Sequence, residues 1–192
     1  MSTRTLLTTL FSTLALLSLS GCNAGTAPAP AGAAGNGGTS APAASNGSGV
    51  KTPYTIVTTC GMVTDIVSIV AGDRANVSGL MGENVDPHMY KPTRNDQKTL
   101  LGADVVFYSG LMLEGRMGDT FIGIARTGKP VYAVTERIGE SYLRQPPEFE
   151  GHWDPHVWMD ITAWSQCVDV VAEALSDYDT SDADGYKQRA AD

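Results

Sequence analysis

The sequence predicts an α/β fold in which a parallel sheet carries helices on both faces. From residue 53 to residue 192, short runs rich in β-branched residues alternate with longer runs whose apolar residues recur at helical spacing. This stretch is long enough for one domain of ordinary size. Repeated strand–helix units give a parallel sheet, because a strand returns to lie parallel to its neighbour only through a crossover connection.

Four short apolar strands are predicted, at residues 54–59, 76–81, 104–108 and 130–134. The first contains Ile56 and Val57 among three threonines, which is the β-branched content of a buried strand. The third has the sequence Asp-Val-Val-Phe-Tyr and is nearly continuous in its apolar residues. Runs of this kind are typical of the strands of a parallel sheet, which are covered on both faces.

Helices are predicted after these strands, at residues 61–70, from 93 onward, at 113–126 and at 161–175. Gly72 is expected to end the first helix. Thr93 is expected to cap the second, because Asp96 stands three residues later and can complete the exchange of hydrogen bonds at a helix start.

Residues 1–21 are predicted to be a lipoprotein signal peptide. Arg4 precedes an apolar run from residue 6 to residue 19, which is too short to span a bilayer because a span takes about 20 residues. The run ends in Leu-Ser-Gly-Cys, which resembles the lipobox of bacterial lipoproteins. Cys22 is therefore expected to be the lipidated N-terminus, anchoring the protein outside the cytoplasm, in the periplasm or at the cell surface. The alternative is an ordinary secretory signal with an incidental Cys.

Residues 22–52 are predicted to be a disordered tether. From 23 to 49 every residue is Ala, Gly, Pro, Ser, Thr or Asn, and such a segment cannot bury a core. The end of the tether superficially resembles a phosphate-binding loop. The match fails because Val50 separates Gly49 from Lys51 and no strand precedes them.

The tripeptide Asp-Pro-His occurs twice and includes two of the three histidines, His88 and His156. Pro stiffens the chain and removes an N–H, so the backbone sets the direction of each imidazole. The preceding carboxylates, Asp86 and Asp154, can hold the second ring nitrogen, as carboxylates do beside metal-bound imidazoles. The repetition predicts that both histidines bind one metal ion. The alternative for each copy is a simple surface turn started by Asp-Pro.

The two motifs are expected to share one rim of the sheet. Each lies in a loop that follows a predicted strand, and ligands of such sheets gather at the loops beyond the carboxyl ends of the strands. The net charge of −8 is mildly favourable for gathering cations and argues against a nucleic-acid partner.

Four other reactive or charged residues have plainer interpretations. Cys60 and Cys167 have no spacing pattern, so they are interpreted as small buried residues, with a disulfide as the alternative. Glu83 is interpreted as a solvated carboxylate. Glu114 is placed at a predicted helix start, where a negative charge interacts favourably with the helix dipole.

Three blocks of sequence carry a resemblance to a known family: residues 82–93 (Gly-Glu-Asn-Val-Asp-Pro-His-Met-Tyr-Lys-Pro-Thr), 103–115 (Ala-Asp-Val-Val-Phe-Tyr-Ser-Gly-Leu-Met-Leu-Glu-Gly) and 153–160 (Trp-Asp-Pro-His-Val-Trp-Met-Asp). They resemble the solute-binding lipoproteins of manganese and zinc ABC transporters, a family that includes proteins first named as adhesins. The blocks occur in the family's order and spacing, and the resemblance extends from residue 53 onward.

The resemblance implies two α/β lobes joined by one long helix, with a metal ion in the cleft between them. Residues 53–180 correspond to the N-terminal lobe and 181–192 to the start of the connecting helix. The N-terminal lobe would supply His88 and His156, and the C-terminal lobe a carboxylate or His and an Asp. Because the sequence ends at Asp192, half of the metal site is expected to lie outside it.

His152 is separated from His156 by the spacing of His pairs in helical zinc sites. Pro155 disfavours a helix here, so His152 is interpreted as a surface or supporting residue, with a metal ligand as the alternative. Trp153 and Trp158 are expected to exclude water from one side of the site, and the alternative is a role at an interface.

The resemblance predicts a monomeric, membrane-anchored receptor that captures Mn²⁺ or Zn²⁺ and passes it to the permease of an ABC importer. An enzyme is not predicted, because no nucleophile has an obvious base and there is no His-Glu-x-x-His motif. The alternatives are a zinc-dependent hydrolase and a surface adhesin with a structural metal ion. Imidazole and carboxylate suit both metals, and the lack of His in residues 135–151 favours manganese slightly.

Overall fold

The computed structural model describes residues 49–192. Its strands are β1 (Tyr54–Thr58), β2 (Ala75–Gly79), β3 (Val105–Tyr108) and β4 (Val131–Ala133). Its α-helices are α1 (Gly61–Ala71), α2 (Arg94–Gly102), α3 (Gly118–Ala125), α4 (Ile161–Tyr178) and α5 (Ala183–Ala191). The predicted signal peptide, Cys22 and most of the predicted tether lie outside these residues. None of the helices in the described range has the length and apolar character needed to cross a bilayer.

The four strands form one parallel sheet in the order β2-β1-β3-β4, which confirms the predicted fold class. Ile56 of β1 is in register with Val77 on one side and with Val105 on the other. From β1 the chain adds β2 on one side. It then crosses to the other side of β1, where it adds β3 and finally β4 at the far edge. The strand order reverses between β1 and β3, and the carboxyl ends of all four strands meet at one edge.

Helices cover both faces of this sheet. Helices α1, α4 and α5 pack against one another, and α2 packs against α3. Crossover connections in parallel sheets are right-handed, so α1, which leads to β2, lies on the face opposite α3, which leads to β4. The core between these layers is apolar, and its largest fully buried side chains include Ile56, Leu100, Phe107 and Leu113.

Two helix boundaries follow the predicted local chemistry. Helix α1 ends at Gly72, whose φ of 54° lies in the left-handed region that glycine adopts without strain. Helix α2 begins after Thr93, whose side chain accepts from the Asp96 N–H while the Asp96 carboxylate accepts from the Thr93 N–H. Both predictions are confirmed.

The predicted start of the third helix at residue 113 is wrong, because α3 begins only at Gly118. Residues 113–117 instead form turns that follow a left-handed run, in which Gly110, Leu111 and Met112 have φ values of 95°, 49° and 66°. Leu113 is fully buried and closes this turn by donating its N–H to the Gly110 carbonyl at 3.0 Å.

Glu114 therefore does not stand at a helix start, and its predicted dipole role is wrong. Its carboxylate is buried and turns back onto the ends of β1 and β3. Oε1 accepts from the Thr59 hydroxyl at 2.6 Å and from the Ser109 N–H at 2.8 Å, and Oε2 accepts from the Gly110 N–H at 3.3 Å. The residue thus joins the two strands where the strand order reverses.

Helix α5 is attached to the sheet by a buried polar network centred on Asp179. Its carboxylate accepts from the Tyr186 hydroxyl at 2.8 Å and from the Arg74 guanidinium at 2.6 Å. The Tyr186 hydroxyl also lies 2.9 Å from that of Tyr54 in β1. Burial acts to raise the pKa of Asp179, but the hydrogen bonds from Ser181, Arg74 and Tyr186 outweigh it and hold that pKa below its usual value.

Cys60 and Cys167 are both buried free thiols. Cys60 stands before the first turn of α1, and Cys167 lies within α4. Burial raises the pKa of Cys60 and raises that of Cys167 to about 12, which leaves very little thiolate at neutral pH.

We therefore expect both thiols to react slowly in the folded protein. A Cys22→Ala chain treated with a maleimide at neutral pH should be labelled at Cys60 and Cys167 only after denaturant is added, which mass spectrometry would measure. The denatured chain is the control for complete reaction. Rapid labelling of either residue without denaturant would contradict the burial described here.

Candidate metal site

His88 and His156 lie in loops that follow the two outermost strands, β2 and β4. The first loop leaves the sheet at Leu80 and Met81, whose N–H groups donate to the carbonyls of Thr58 and Thr59 at 2.9 Å each. The second loop is longer and reaches α4 through a single turn of 3-10 helix at Val157–Met159. Both loops cross the carboxyl edge of the sheet, and they meet above it.

Each Asp-Pro-His motif folds as a turn closed by its own carboxylate. The His88 N–H donates to Oδ1 of Asp86 at 2.9 Å, and the His156 N–H donates to Oδ1 of Asp154 at 3.0 Å. Asp favours this arrangement because its short side chain accepts from the backbone two residues later. The intervening Pro limits the backbone further, so each imidazole leaves a constrained turn.

The two imidazoles face each other through their Nε2 atoms, which are 3.1 Å apart. Nitrogen ligands lie about 2.0–2.1 Å from Zn²⁺, so two of them at a tetrahedral angle are separated by about 3.3 Å. The observed separation is close to that value. The pair is therefore arranged so that a small movement, with loss of the proton between the two nitrogens, lets both Nε2 atoms bind one ion.

Asp154 also fixes the ring of His156. Its Oδ1 lies 2.6 Å from Nδ1, so Nδ1 carries the proton and Nε2 is left with a lone pair for a metal ion. Burial acts to raise the pKa of Asp154, but the hydrogen bonds from the His156 N–H and ring, together with the charge of Arg144, lower it overall. The carboxylate is therefore ionised at neutral pH and can hold the ring in place.

Asp86 is arranged differently from Asp154. In the described part of the chain its carboxylate accepts from the main-chain N–H of His88, and the His88 ring donates no hydrogen bond to it, contrary to the prediction for this motif. The ring of His88 is instead placed by its loop. Tyr90 donates its hydroxyl to Oδ2 of Asp96 at 2.9 Å, and the Thr93 N–H donates to the same atom at 2.6 Å. The start of α2 thus anchors the segment that follows His88.

Aromatic side chains surround His156. The ring of Trp158 meets the imidazole edge-on at a centroid distance of 5.2 Å, and that of Phe149 lies 6.2 Å away. Val157 is buried and Asp160 caps α4 by accepting from two main-chain N–H groups, so the chain after His156 is fixed on both sides.

The remaining predicted residues stand outside this pair. His152 is exposed, and its N–H donates to the Phe149 carbonyl at 2.8 Å in a turn that is not helical. Glu83 is exposed. Within residues 49–192, no group of three His, Cys, Asp or Glu side chains is placed to hold a metal ion. The structure thus brings together His88 and His156 and leaves His152 outside the pair.

Sequence reasoning missed two residues that shape the site, Tyr90 and Arg144. Tyr90 lies in the block 82–93 that resembles the family, but its hydrogen bond to Asp96 forms only in the folded loop. Arg144 accepts the Asp154 N–H on its carbonyl at 2.7 Å, and its side chain lines an open groove of about 410 Å³ beside His156. No spacing in the sequence relates residue 144 to residue 154 in this way.

Comparisons with a family model and with known proteins agree on one family. The family described as "Zinc-uptake complex component A periplasmic" (ZnuA) matches residues 56–192. The zinc-binding protein TroA of Treponema pallidum is 42% identical over 120 residues, which are 62% of this chain and 38% of that protein. The manganese-binding lipoprotein MntA of Bacillus subtilis is 38% identical over 136 residues, which are 70% of this chain and 44% of that protein.

Solved structures give the same result. The structure of the periplasmic zinc-binding protein TroA from Treponema pallidum matches with a TM-score of 0.67 at 38% identity, over 71% of this chain and 48% of that one. A Mn-bound periplasmic metal-binding protein from Candidatus Liberibacter asiaticus matches with a TM-score of 0.64 at 26% identity, over 71% of this chain and 50% of that one. The chain spans less than half the length of the two curated relatives. With this fold and a family match over residues 56–192, the chain belongs to the ZnuA family of periplasmic zinc-uptake components.

Proposed function

We propose that this chain is the N-terminal, metal-binding part of an extracytoplasmic receptor that captures Zn²⁺ or Mn²⁺ and delivers it to the permease of an ABC importer. The main support is the geometry of His88 and His156, whose Nε2 atoms lie 3.1 Å apart. The second ring nitrogen of His156 is held by Asp154. Neutral imidazoles held in this way are ligands for divalent transition metals.

The names of the relatives support both the metals and the transport role. They include a zinc-binding protein, a manganese-binding lipoprotein and several metal ABC transporter substrate-binding lipoproteins. Neither the hydrolase nor the adhesin alternative gains support from these comparisons. The proposed role requires binding and release of an ion and no covalent chemistry.

Within this proposal residues 53–180 form the first lobe, and residues 181–192 lead towards a second. Helix α5 occupies residues 183–191 and is already packed on α1 and α4. The ion would be held by His88 and His156 and completed by ligands outside residues 49–192. We propose that the complete receptor acts as a monomer, because one ion in one cleft requires a single copy.

Isothermal titration of the 192-residue chain with Zn²⁺ and with Mn²⁺ tests the proposal. Two imidazoles leave the rest of the coordination shell to water, so we expect one saturable site per chain with a Kd in the micromolar range or weaker, at best about −8 kcal/mol. A chain with both His88→Ala and His156→Ala is the control and should show no such site. Equal binding by the parent and the double variant would contradict the proposal.

The same proposal places a lipid anchor on Cys22, which lies outside the described residues. We expect mass spectrometry of the membrane fraction to find acyl chains on an N-terminus formed by Cys22. A Cys22→Ala variant should appear in the soluble fraction, because a protein without acyl chains has no stable hold on the bilayer. A membrane-bound product with an unmodified Cys22 would show that another segment provides the anchor.

A further inference from the structure

A small cavity of about 140 Å³ lies against His88 and is distinct from the groove beside His156. His88, His152 and Met112 line it, and the rings of Phe149 and Trp153 form aromatic walls. The predicted metal site uses neither Met112 nor His152. The cavity therefore adds to His88 one imidazole and one thioether that the proposed capture of Zn²⁺ or Mn²⁺ does not account for.

Met112 is presented to this cavity by an unusual piece of backbone. Leu111 and Met112 both have φ values in the left-handed region, a conformation that residues with side chains rarely adopt in succession. Such backbone persists only where its surroundings hold it, and it is concentrated at functional sites. Here the left-handed turn is held by buried Glu114, whose carboxylate accepts from the Ser109 and Gly110 N–H groups immediately before it.

The set of donors around the cavity indicates the class of ion. No acidic residue of the described chain is among those that line it, so a hard divalent cation would find no carboxylate there. A thioether is a soft donor that selects Cu⁺ among the biological metals, and imidazole binds the same ion. We propose that this cavity is a second cation site, in which the Met112 thioether and the imidazoles of His152 and His88 bind a soft monovalent cation, Cu⁺ or Ag⁺.

The dimensions of the cavity suit a single ion. The cavity has room for one ion, and binding requires the donor atoms to close to about 2.0–2.3 Å from it. His152 is exposed and Met112 is 64% exposed, so both side chains have the freedom to do so.

His88 belongs to both sites, and this links the inference to the proposed function. An ion held by Met112, His152 and His88 withdraws one of the two imidazoles that would take Zn²⁺ or Mn²⁺. A soft cation should therefore inhibit capture of the divalent ion by competition for His88, although the two ions occupy different positions.

Silver is the probe of choice because Ag⁺ binds soft donors and does not change oxidation state under these conditions. The chain is prepared with Cys22→Ala, which removes a thiol outside the described residues, and with ¹³C-labelled methionine methyl groups. As Ag⁺ is added to saturation, the Met112 methyl resonance in the NMR spectrum should shift. Because that resonance reports Met112 itself, silver taken up by Cys60 or Cys167 does not mimic the result.

Met89 provides a matched control. It is 59% exposed against 64% for Met112 and follows His88 directly in the chain, but it does not line the cavity. The Met89 resonance should stay in place when Met112 shifts, and Met89→Leu should leave the silver response of Met112 unchanged. His152→Ala should weaken that response by about tenfold or more in silver concentration, because it removes one of three donors.

Two results would overturn the inference: a Met112 resonance that does not move, or equal shifts of Met112 and Met89, which would mean unspecific binding by exposed thioethers. Zinc titration of Met112→Leu separates this inference from the proposed function. Unchanged Zn²⁺ affinity in that variant, with loss of silver inhibition, supports the second site. If the parent chain shows a silver response but no Zn²⁺ site, the proposed function fails while the second site stands.

Discussion

Replacing His88 or His156 with Ala should weaken binding of Zn²⁺ and Mn²⁺ by at least about 100-fold, which is close to 3 kcal/mol. Each change removes one of the two imidazoles whose Nε2 atoms lie 3.1 Å apart. The remaining imidazole cannot hold the ion with the same geometry. Isothermal titration of the chain and its variants is the measurement, with far-UV circular dichroism to verify folding.

His152→Ala is the matched control for these two variants. His152 is exposed and stands outside the His88–His156 pair, so its loss should change divalent-metal affinity by less than about threefold, or roughly 0.6 kcal/mol. If all three histidine variants lost affinity equally, His152 would have to be counted among the ligands and the pair would no longer describe the site.

Asp179→Ala should lower the free energy of unfolding by about 3 kcal/mol. Asp179 is fully buried, and its removal leaves Arg74 and the Tyr186 hydroxyl without their acceptor. Loss of one partner from a buried charged pair costs about 3–5 kcal/mol, and the partial exposure of Arg74 places this case at the lower end. Urea unfolding followed by circular dichroism measures the change.

The same network should make the free energy of unfolding decrease as the pH falls into the acidic range. The pKa of Asp179 is lower in the folded protein than in the unfolded chain, where it is about 3.9. Above the unfolded pKa, Asp179 makes its full contribution to the free energy of unfolding. That contribution is lost as the pH falls through the lower pKa of the folded protein. Asp177→Ala, at an exposed position in the last turn of α4, is the control and should leave the unfolding midpoint nearly unchanged. Equal midpoints for the two variants would show that the network is dispensable.

The parts of the fold that local chemistry determines were predictable from the sequence. Residues 54–59 have the β-branched content of a buried strand, and β1 forms at Tyr54–Thr58. Thr93 and Asp96 form the predicted exchange of hydrogen bonds at the start of α2. In each case the residues concerned are neighbours in the chain, so their identities alone decide the structure.

The start of α3 was not predictable in the same way. Residues 113–117 have helical character in sequence, but Leu113 and Glu114 are drawn into the core at the ends of β1 and β3. The hydrogen bond that Glu114 accepts from the Thr59 hydroxyl, 55 residues away, overrides the local preference. Long-range pairing of this kind leaves no periodic pattern in a single sequence.

The site shows the same division between local and distant causes. The repeated Asp-Pro-His motif predicted that two histidines would meet, and the parallel sheet explains how, because both loops leave its carboxyl edge. The hydrogen bond that the His156 ring donates to Asp154 lies within one motif and was predicted, whereas Asp86 accepts only from the His88 main chain. The cavity formed with Met112 was not, because it depends on a left-handed turn that no residue in 110–112 except Gly favours.

The positions of β2 and β4 at opposite edges of the sheet determine when the site can exist during folding. The two histidines are 68 residues apart, and every strand must be in place before their loops can meet. A contact this distant in sequence forms late, because bringing the two loops together costs conformational entropy before the contact provides any stabilisation. The emerging chain thus has no early opportunity to chelate metal between these residues.

An ion that binds only the finished fold stabilises it by about 2.7 kcal/mol at a free concentration 100 times its Kd. Proteolysis should therefore remove the empty protein faster than the loaded one.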